Sequence, residues 1–268
     1  MQRILGRKKK ASRLGREAPD TCLLAFCLCQ DKDDCQDDEE LPKLSEKITG
    51  TNKQPYGVHP YHIDNGITYL ETEFGAVPLQ IFGKHNLTNL NAARYACESV
   101  GVSTDNFYKA IATFKGASKR LELVAKNDVC NVYKDFAHSP SKLKATIAAV
   151  REQFPTRHLI ACMELHTFSS LTEEFLKQYD GAMREADEAI VYFSPEAIAH
   201  KKLPPITAEM IMKAFGREDL IVFSDSSAMK EKLMQINPEN TVLLMMSSGN
   251  FNGINVNELG EKIISLRP

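Results

Sequence analysis

Gly83-Lys84-His85-Asn86-Leu87-Thr88-Asn89 is the first dense polar stretch of the chain. It leaves a strand-like run and enters a helix-like one, where free N–H groups and partial positive charge gather. Asn86 and Asn89 lie three apart and so share a helix face. A carboxamide offers a donor beside an acceptor, which suits the edge of adenine. The same Asn86 could equally do no more than cap the helix. Lys119-Arg120 sets a guanidinium between two stretches of different pattern. There it could clamp phosphate, or stand as a solvated linker charge. Asp135-Phe136-Ala137-His138-Ser139-Pro140 reads as a strand end, a turn and a helix start. A carboxylate at a strand's carboxyl end can accept from ribose hydroxyls, and His138 could meet an anion. Local turn chemistry would use the same side chains.

Two further loops could hold a substrate. Glu164-Leu165-His166-Thr167-Phe168-Ser169-Ser170 is polar and aromatic after an apolar strand, and could equally be an ordinary βα loop. Ser247-Ser248-Gly249-Asn250-Phe251-Asn252-Gly253 lets backbone approach a ligand closely. It is not a G-x-G-x-x-G fingerprint, and no G-x-x-x-x-G-K-[ST] occurs in the 268 residues. Four cysteines (Cys22, Cys27, Cys29, Cys35) cluster near the start but lack C-x2-C spacing. A buried strand, Cys22–Cys29, whose small thiols pack as hydrophobes is the plainer reading than a zinc site.

The elements that must position these loops follow from pattern. Residues 1–20 are basic and expected to be a disordered tail. Asp31–Glu40 is an acidic loop, and Leu41–Ile48 a short helix. Period two over Gln54–Phe82, with turns at Asp64-Asn65-Gly66 and Glu73-Phe74-Gly75, predicts an antiparallel meander. Helices are expected from Leu87 to Val100 and from Thr104, as N-cap, to before Gly116. Lys115–Leu123 reads as a hinge. Strands then alternate with helices: Val129–Asp135, His158–Met163, Glu188–Phe193, Leu220–Phe223 and Thr241–Met246. The helices expected among them are Pro140–Phe154, Thr172–Ala186, Thr207–Phe215, Ser227–Gln235 and a last one, Val256–Leu266. Short apolar strands without alternation imply a parallel sheet covered on both faces. The fold class is therefore α/β: a C-terminal doubly wound, Rossmann-like sheet preceded by the meander and two helices. In such sheets ligands bind beyond the carboxyl ends of the strands, where the loops named above lie.

Composition narrows the class. Hydrophobic residues make up 43% and charged residues 25%, as in a globular protein. The net charge of −2 offers no field for nucleic acid. No apolar run is long enough for a membrane helix, and no signal segment follows the basic start. A cytoplasmic location with reduced cysteines is expected.

Taken in order, Gly83–Asn91 with Ala92-Ala93, Phe114-Lys115-Gly116 through Arg120-Leu121-Glu122, Asp135–Pro140 and Ser247–Gly253 resemble the Mur ligase family. Phe-Lys-Gly with Lys-Arg-Leu-Glu, and Asp-Phe-Ala-His, look most like its murein-peptide ligase branch. The resemblance covers about residues 50–268. It implies that residues 21–120 are the end of a central ATP-binding domain and 121–268 the whole C-terminal Rossmann-like domain. The implied reaction uses ATP and Mg²⁺ to join UDP-N-acetylmuramate to a murein tripeptide, in cell-wall synthesis or recycling. A muramoyl acyl phosphate forms and the incoming amine attacks it. By resemblance His85, Asn86 and Asn89 line an adenine pocket, Arg120 reaches phosphate, and Asp135 holds ribose with His138 nearby. His166, Thr167, Phe168 and Ser169, with Ser248 and Asn250, meet the amino substrate. Related ligases tend to carry an arginine in or near the His166 loop, and Ser139 replaces a common second histidine. The family's phosphate loop, Mg²⁺ ligands and modified lysine lie upstream of anything aligned here, so no catalytic residue or metal ligand is assigned. The expectation is a partial ligase, inactive alone. The alternatives are a non-catalytic nucleotide- or peptide-binding remnant, or another ligase of the superfamily such as a folylpolyglutamate synthase type.

Overall fold

Alternating burial along Tyr61–Asp64 (β1), Ile67–Thr72 (β2) and Gly75–Pro78 (β3) builds a three-stranded antiparallel sheet. These assignments come from a computed structural model, which describes residues 56–266. The basic tail, the Cys22–Cys29 strand, the acidic loop and the helix at 41–48 lie outside the described residues. β1 and β2 are joined through Asn65 and Gly66, at φ 49° and 73°. Positive φ at both positions is what a tight hairpin with right-handed strand twist requires. One face of this sheet packs on helices α1, Lys84–Ser99, and α2, Thr104–Ile111. Leu70, Leu79, Leu87, Leu90, Phe107 and Tyr108 form the core between them.

The second unit carries β4 (Glu122–Lys126), β5 (Cys130–Asp135), α3 (Pro140–Gln153), β6 (His158–Leu165) and α4 (Glu173–Leu176). It continues with β7 (Glu188–Phe193), α5 (Pro195–His200), α6 (Ala208–Phe215) and β8 (Ile221–Phe223). α7 (Ser226–Leu233), β9 (Thr241–Met246) and α8 (Val256–Ile264) complete it. The sheet order is β4-β5-β9-β6-β7-β8. All neighbours are parallel except β4, which runs antiparallel to β5. β6, β7 and β9 are almost wholly buried, and separate apolar clusters cover the two faces of the sheet. The expected α/β class is the one observed.

Three elements depart from the sequence reading. The helix expected over Thr172–Ala186 is only α4 between two short 3₁₀ turns, Ser169–Leu171 and Lys177–Tyr179. Gly181 at φ 65° breaks it, and Tyr179 is drawn into a stack on Phe215. Ser194–His200, outside every expected helix, contains α5, capped by Ser194 Oγ accepting from Ala197 N at 3.1 Å. The hinge runs into a strand: Leu123 and Lys126 pair with Tyr133 and Asn131 at the sheet edge. Caps also differ by a residue, since Ser103 rather than Thr104 caps α2.

The units meet along α3. Thr68 Oγ1 donates to Gln153 Oε1 at 2.8 Å, and Gln153 Nε2 donates to Gly66 O at 2.6 Å. Tyr61 OH donates to Glu152 Oε1 at 2.6 Å. The Phe82 ring leaves the first unit and sits edge-on to Tyr133 and Phe154 of the second.

Candidate functional site

α1 begins where the first unit touches α3. Its N-cap, Gly83, has φ 90°, and a Cβ there would lie 2.8 Å from that of Ala149. Glycine alone combines that backbone with that approach. Asn86 does not cap the helix. Its Nδ2 donates back to Phe82 O at 2.8 Å, fixing the helix start to the incoming chain.

On the other side of the cleft, residues 115–121 form a strap across the end of β5. Gly116, Lys119 and Leu121 all have positive φ, at 93°, 56° and 42°. For Lys119 and Leu121 such backbone is strained, so the surroundings must hold it. Asp135, only 5% exposed, grips it from β5. Its Oδ2 accepts from Leu121 N and its Oδ1 from Ala137 N, both at 2.7 Å. Glu122 holds the strap from the other side, accepting from Lys119 N at 2.7 Å.

Between α1, the strap and α3 lies a cavity of about 680 Å³. His85, Asn86, Asn89, Arg120 and Asp135 all line it, brought there from three separate segments. Phe114, 44% exposed, also faces it, with Lys142 and Thr146 from the first turns of α3. Burial pushes the His85 imidazole below its ordinary pKa, Asp135 pulls it back and Arg120 adds to the fall. His85 is therefore a neutral hydrogen-bonding ring at pH 7. Among the described residues the Arg120 guanidinium has no carboxylate partner; it lies 5.9 Å over the Phe136 ring. The cavity offers amide and imidazole edges, an exposed aromatic face and two cations. That chemistry fits a planar heterocycle carrying phosphate.

His138 lies outside this lining. Its Nδ1 is 2.8 Å from Phe136 O, and its own carbonyl accepts from Tyr179 OH at 2.5 Å. Both contacts serve the turn. Asp135 likewise spends its hydrogen bonds on backbone and on Thr146 Oγ1 at 3.5 Å.

The second set of predicted residues forms a separate rim. Asp135, Met246 and Met163 are in register across β5, β9 and β6, so the loops after these strands emerge at one edge. Glu164, buried one residue before the end of β6, organises them. It accepts from Ser247 Oγ and from Phe251 N at 2.8 Å, and lies 3.5 Å from His166 Nδ1. A Cβ on Gly249 would stand 2.8 Å from both the Glu164 carboxylate and the His166 ring. Lys201 Nζ donates to His166 O at 2.8 Å. Thr167 Oγ1 accepts from Ser170 N and lies 3.4 Å from Ser169 Oγ. Phe168 is exposed, Ser248 Oγ is buried without a partner, and Asn250 Oδ1 accepts from Gly253 N.

Residues 119–249 match the family model described as Mur ligase, glutamate ligase domain. This stretch belongs to the Mur ligase family. A UDP-N-acetylmuramate–L-alanine ligase of Desulfitobacterium hafniense is 32% identical over 120 residues, 45% of this chain and 26% of that protein. The murein peptide ligase of Psychrobacter arcticus superposes with a TM-score of 0.51 at 18% identity, covering 85% of this chain and 50% of that one. MurF ligase of Thermotoga maritima, solved in complex with ADP, gives 0.58 at 16% identity over 85% of this chain and 51% of that one. These two likenesses show a shared fold. The chain spans 26–39% of the length of the first curated relatives it matches.

Sequence reasoning did not single out Glu164, Lys142, Phe114 or Lys201. Glu164 sits inside an apolar strand, where one carboxylate carries no pattern. The available signal was an acid at the carboxyl end of an apolar strand, at the head of the polar stretch that runs to Ser170.

Proposed function

We propose that this chain forms the C-terminal half of an ATP-dependent carbon–nitrogen ligase. It would join UDP-N-acetylmuramate to a murein tripeptide in the cytoplasm. The observation that carries this reading is the single cavity lined by His85, Asn86, Asn89 and Arg120 from two units. In it, Asn86 and Asn89 would read the base edge while Phe114 stacks on its face. Arg120, presented by the carboxylate-held strap, would meet the phosphates, and Asp135 would mainly set the strap's shape. At the β6/β9 rim, His166 and Phe168 would receive the amino substrate, His166 orienting or accepting a proton from the amine. ATP supplies the phosphoryl group that activates the muramoyl carboxylate. Among the described residues no three His, Cys, Asp or Glu side chains are gathered to hold a metal.

Without a phosphate loop in its sequence, the chain alone is expected to bind ADP but not to release phosphate from ATP. Calorimetric titration with ADP, alongside a phosphate-release assay with muramate and tripeptide, tests both halves. Absence of ADP binding would remove the nucleotide reading, and turnover by the chain alone would remove the partial-ligase reading. A non-catalytic binder is the second reading. The self-satisfied hydrogen bonds of the β6/β9 rim favour it, and saturable ADP binding without any complementing activity would establish it.

A further inference from the structure

The cleft between the two units is divided. Asn131, Tyr133 and Asp135 alternate onto one face of β5. Asp135 lines the cavity already described, whereas Asn131 and Tyr133 line another, of about 950 Å³, on the far side of the strap. Ile81, Gly116 and Ala117 line both.

Two features distinguish the second cavity. Ile67 at the start of β2 and Leu123 on β4 both line it, and each is 42% exposed. Large aliphatic side chains left open on a shared cavity mark surface that a ligand can cover. The charges are the second feature. Glu122 is the carboxylate in the lining, and it is fully engaged. Lys134 Nζ lies 2.9 Å from it, besides the bond from Lys119 N. Lys115 and Lys126 also line the cavity, and among the described residues neither is in an ion pair. The unpaired charge lining this cavity is therefore positive.

We propose that this second cavity binds an amphipathic organic anion, its apolar body against Ile67 and Leu123 and its acidic group facing Lys115 and Lys126. Nucleotide binding is not required for this site, and the strap it shares with the first cavity makes the two neighbours rather than one.

The test is fluorescence titration of the full chain with 8-anilinonaphthalene-1-sulfonate in the absence of nucleotide. Expected is one saturable site, displaced by decanoate and not by decyltrimethylammonium. Charge reversal at both lysines, Lys115→Glu with Lys126→Glu, weakens it about tenfold or more. Leu123→Trp, which fills the cavity from an exposed edge position, abolishes it and decides the matter if circular dichroism shows the charge-reversed chain unfolded. Val100→Ser, at an exposed apolar residue of the first unit away from this lining, leaves it unchanged. Non-saturable binding, equal displacement by the cationic amphiphile, or equal loss in Val100→Ser would overturn the proposal. Displacement by ADP together with loss in Arg120→Ala would place the probe in the first cavity and overturn it as well.

Discussion

The hinge cavity and the β6/β9 rim both sit at the carboxyl edge of one sheet, yet they differ in how many polar side chains they leave open. In the hinge cavity the side chains of Asn89, Arg120 and Lys142 line the space with no hydrogen bond or ion pair among the described residues, beside Asn86 and Asp135, which are bonded to backbone. At the rim, Glu164, Ser247, Thr167 and Ser170 bond one another or nearby backbone. Groups left open are available to a ligand, whereas groups closed on each other hold a loop in shape. Mutations at the first place should therefore change affinity, and mutations at the second should change stability.

The largest expected effect is at the rim. Glu164→Ala removes a buried carboxylate that organises Ser247 and Phe251 N, and leaves both without their acceptor. Losing such a network costs about 3 kcal/mol. Urea unfolding of the wild type and variant would show it, with Glu164→Gln recovering part of the loss. A cost under about 1 kcal/mol would mean the rim is not held by this carboxylate. Arg120→Ala comes next and should act in the other way. Its unpaired guanidinium would contribute a charge-assisted bond to phosphate, so ADP affinity should fall about tenfold or more. Its unfolding midpoint should barely move. A variant that unfolds more easily while binding ADP normally would reverse the assignment.

Acidity should separate the units by a smaller amount. Burial holds His59 below its ordinary 6.5; its Nδ1 donates to Pro60 O and its Nε2 accepts from Tyr108 OH at 2.8 Å. His85 is lowered by burial as well. The folded chain thus binds fewer protons than the unfolded one just below pH 6.5, and stability falls as pH drops through that value. Glu122 and Asp187, held below 4.5 and 3.8 by hydrogen bonds and cations that outweigh burial, lose their contribution only at lower pH. Thermal unfolding between pH 7.5 and 5.5 therefore reports the histidines. His59→Gln should flatten that slope, and an unchanged slope would exclude His59 as its source.

How far the sequence could be read follows the same division. His85, Asn86 and Asn89 were legible because a glycine turn before a helix marks a place where backbone donors collect. Asp135 was legible as a strand end, but its part in holding the strap needed the fold, since Leu121 N is fourteen residues back along the chain. Glu164 was hidden in a strand. α5 was missed although Ser194-Pro195 repeats the signal of Ser139-Pro140, because five following residues carry no full helical period. The second cavity had no signal at all, since Ile67 and Leu123 come to one space from separate units, whose contact includes Gln153 Nε2 donating to Gly66 O.

The smallest effect is at Lys142, and it sharpens the contrast within the hinge cavity itself. Lys142 lines the same space as Arg120 but is exposed on the first turn of α3. An exposed ammonium is screened by water and salt and gains about 0.2–1 kcal/mol from an anion. Lys142→Gln should therefore weaken ADP by about 1.4- to 5-fold at low salt. That difference should fade as ionic strength rises and the Debye length shrinks to a few ångströms. The loss from Arg120→Ala should persist, because the guanidinium's fork makes directional bonds that screening does not erase. Equal salt sensitivity in the two variants would mean that Arg120 acts as a distant point charge, and the strap would then have no role in aiming it.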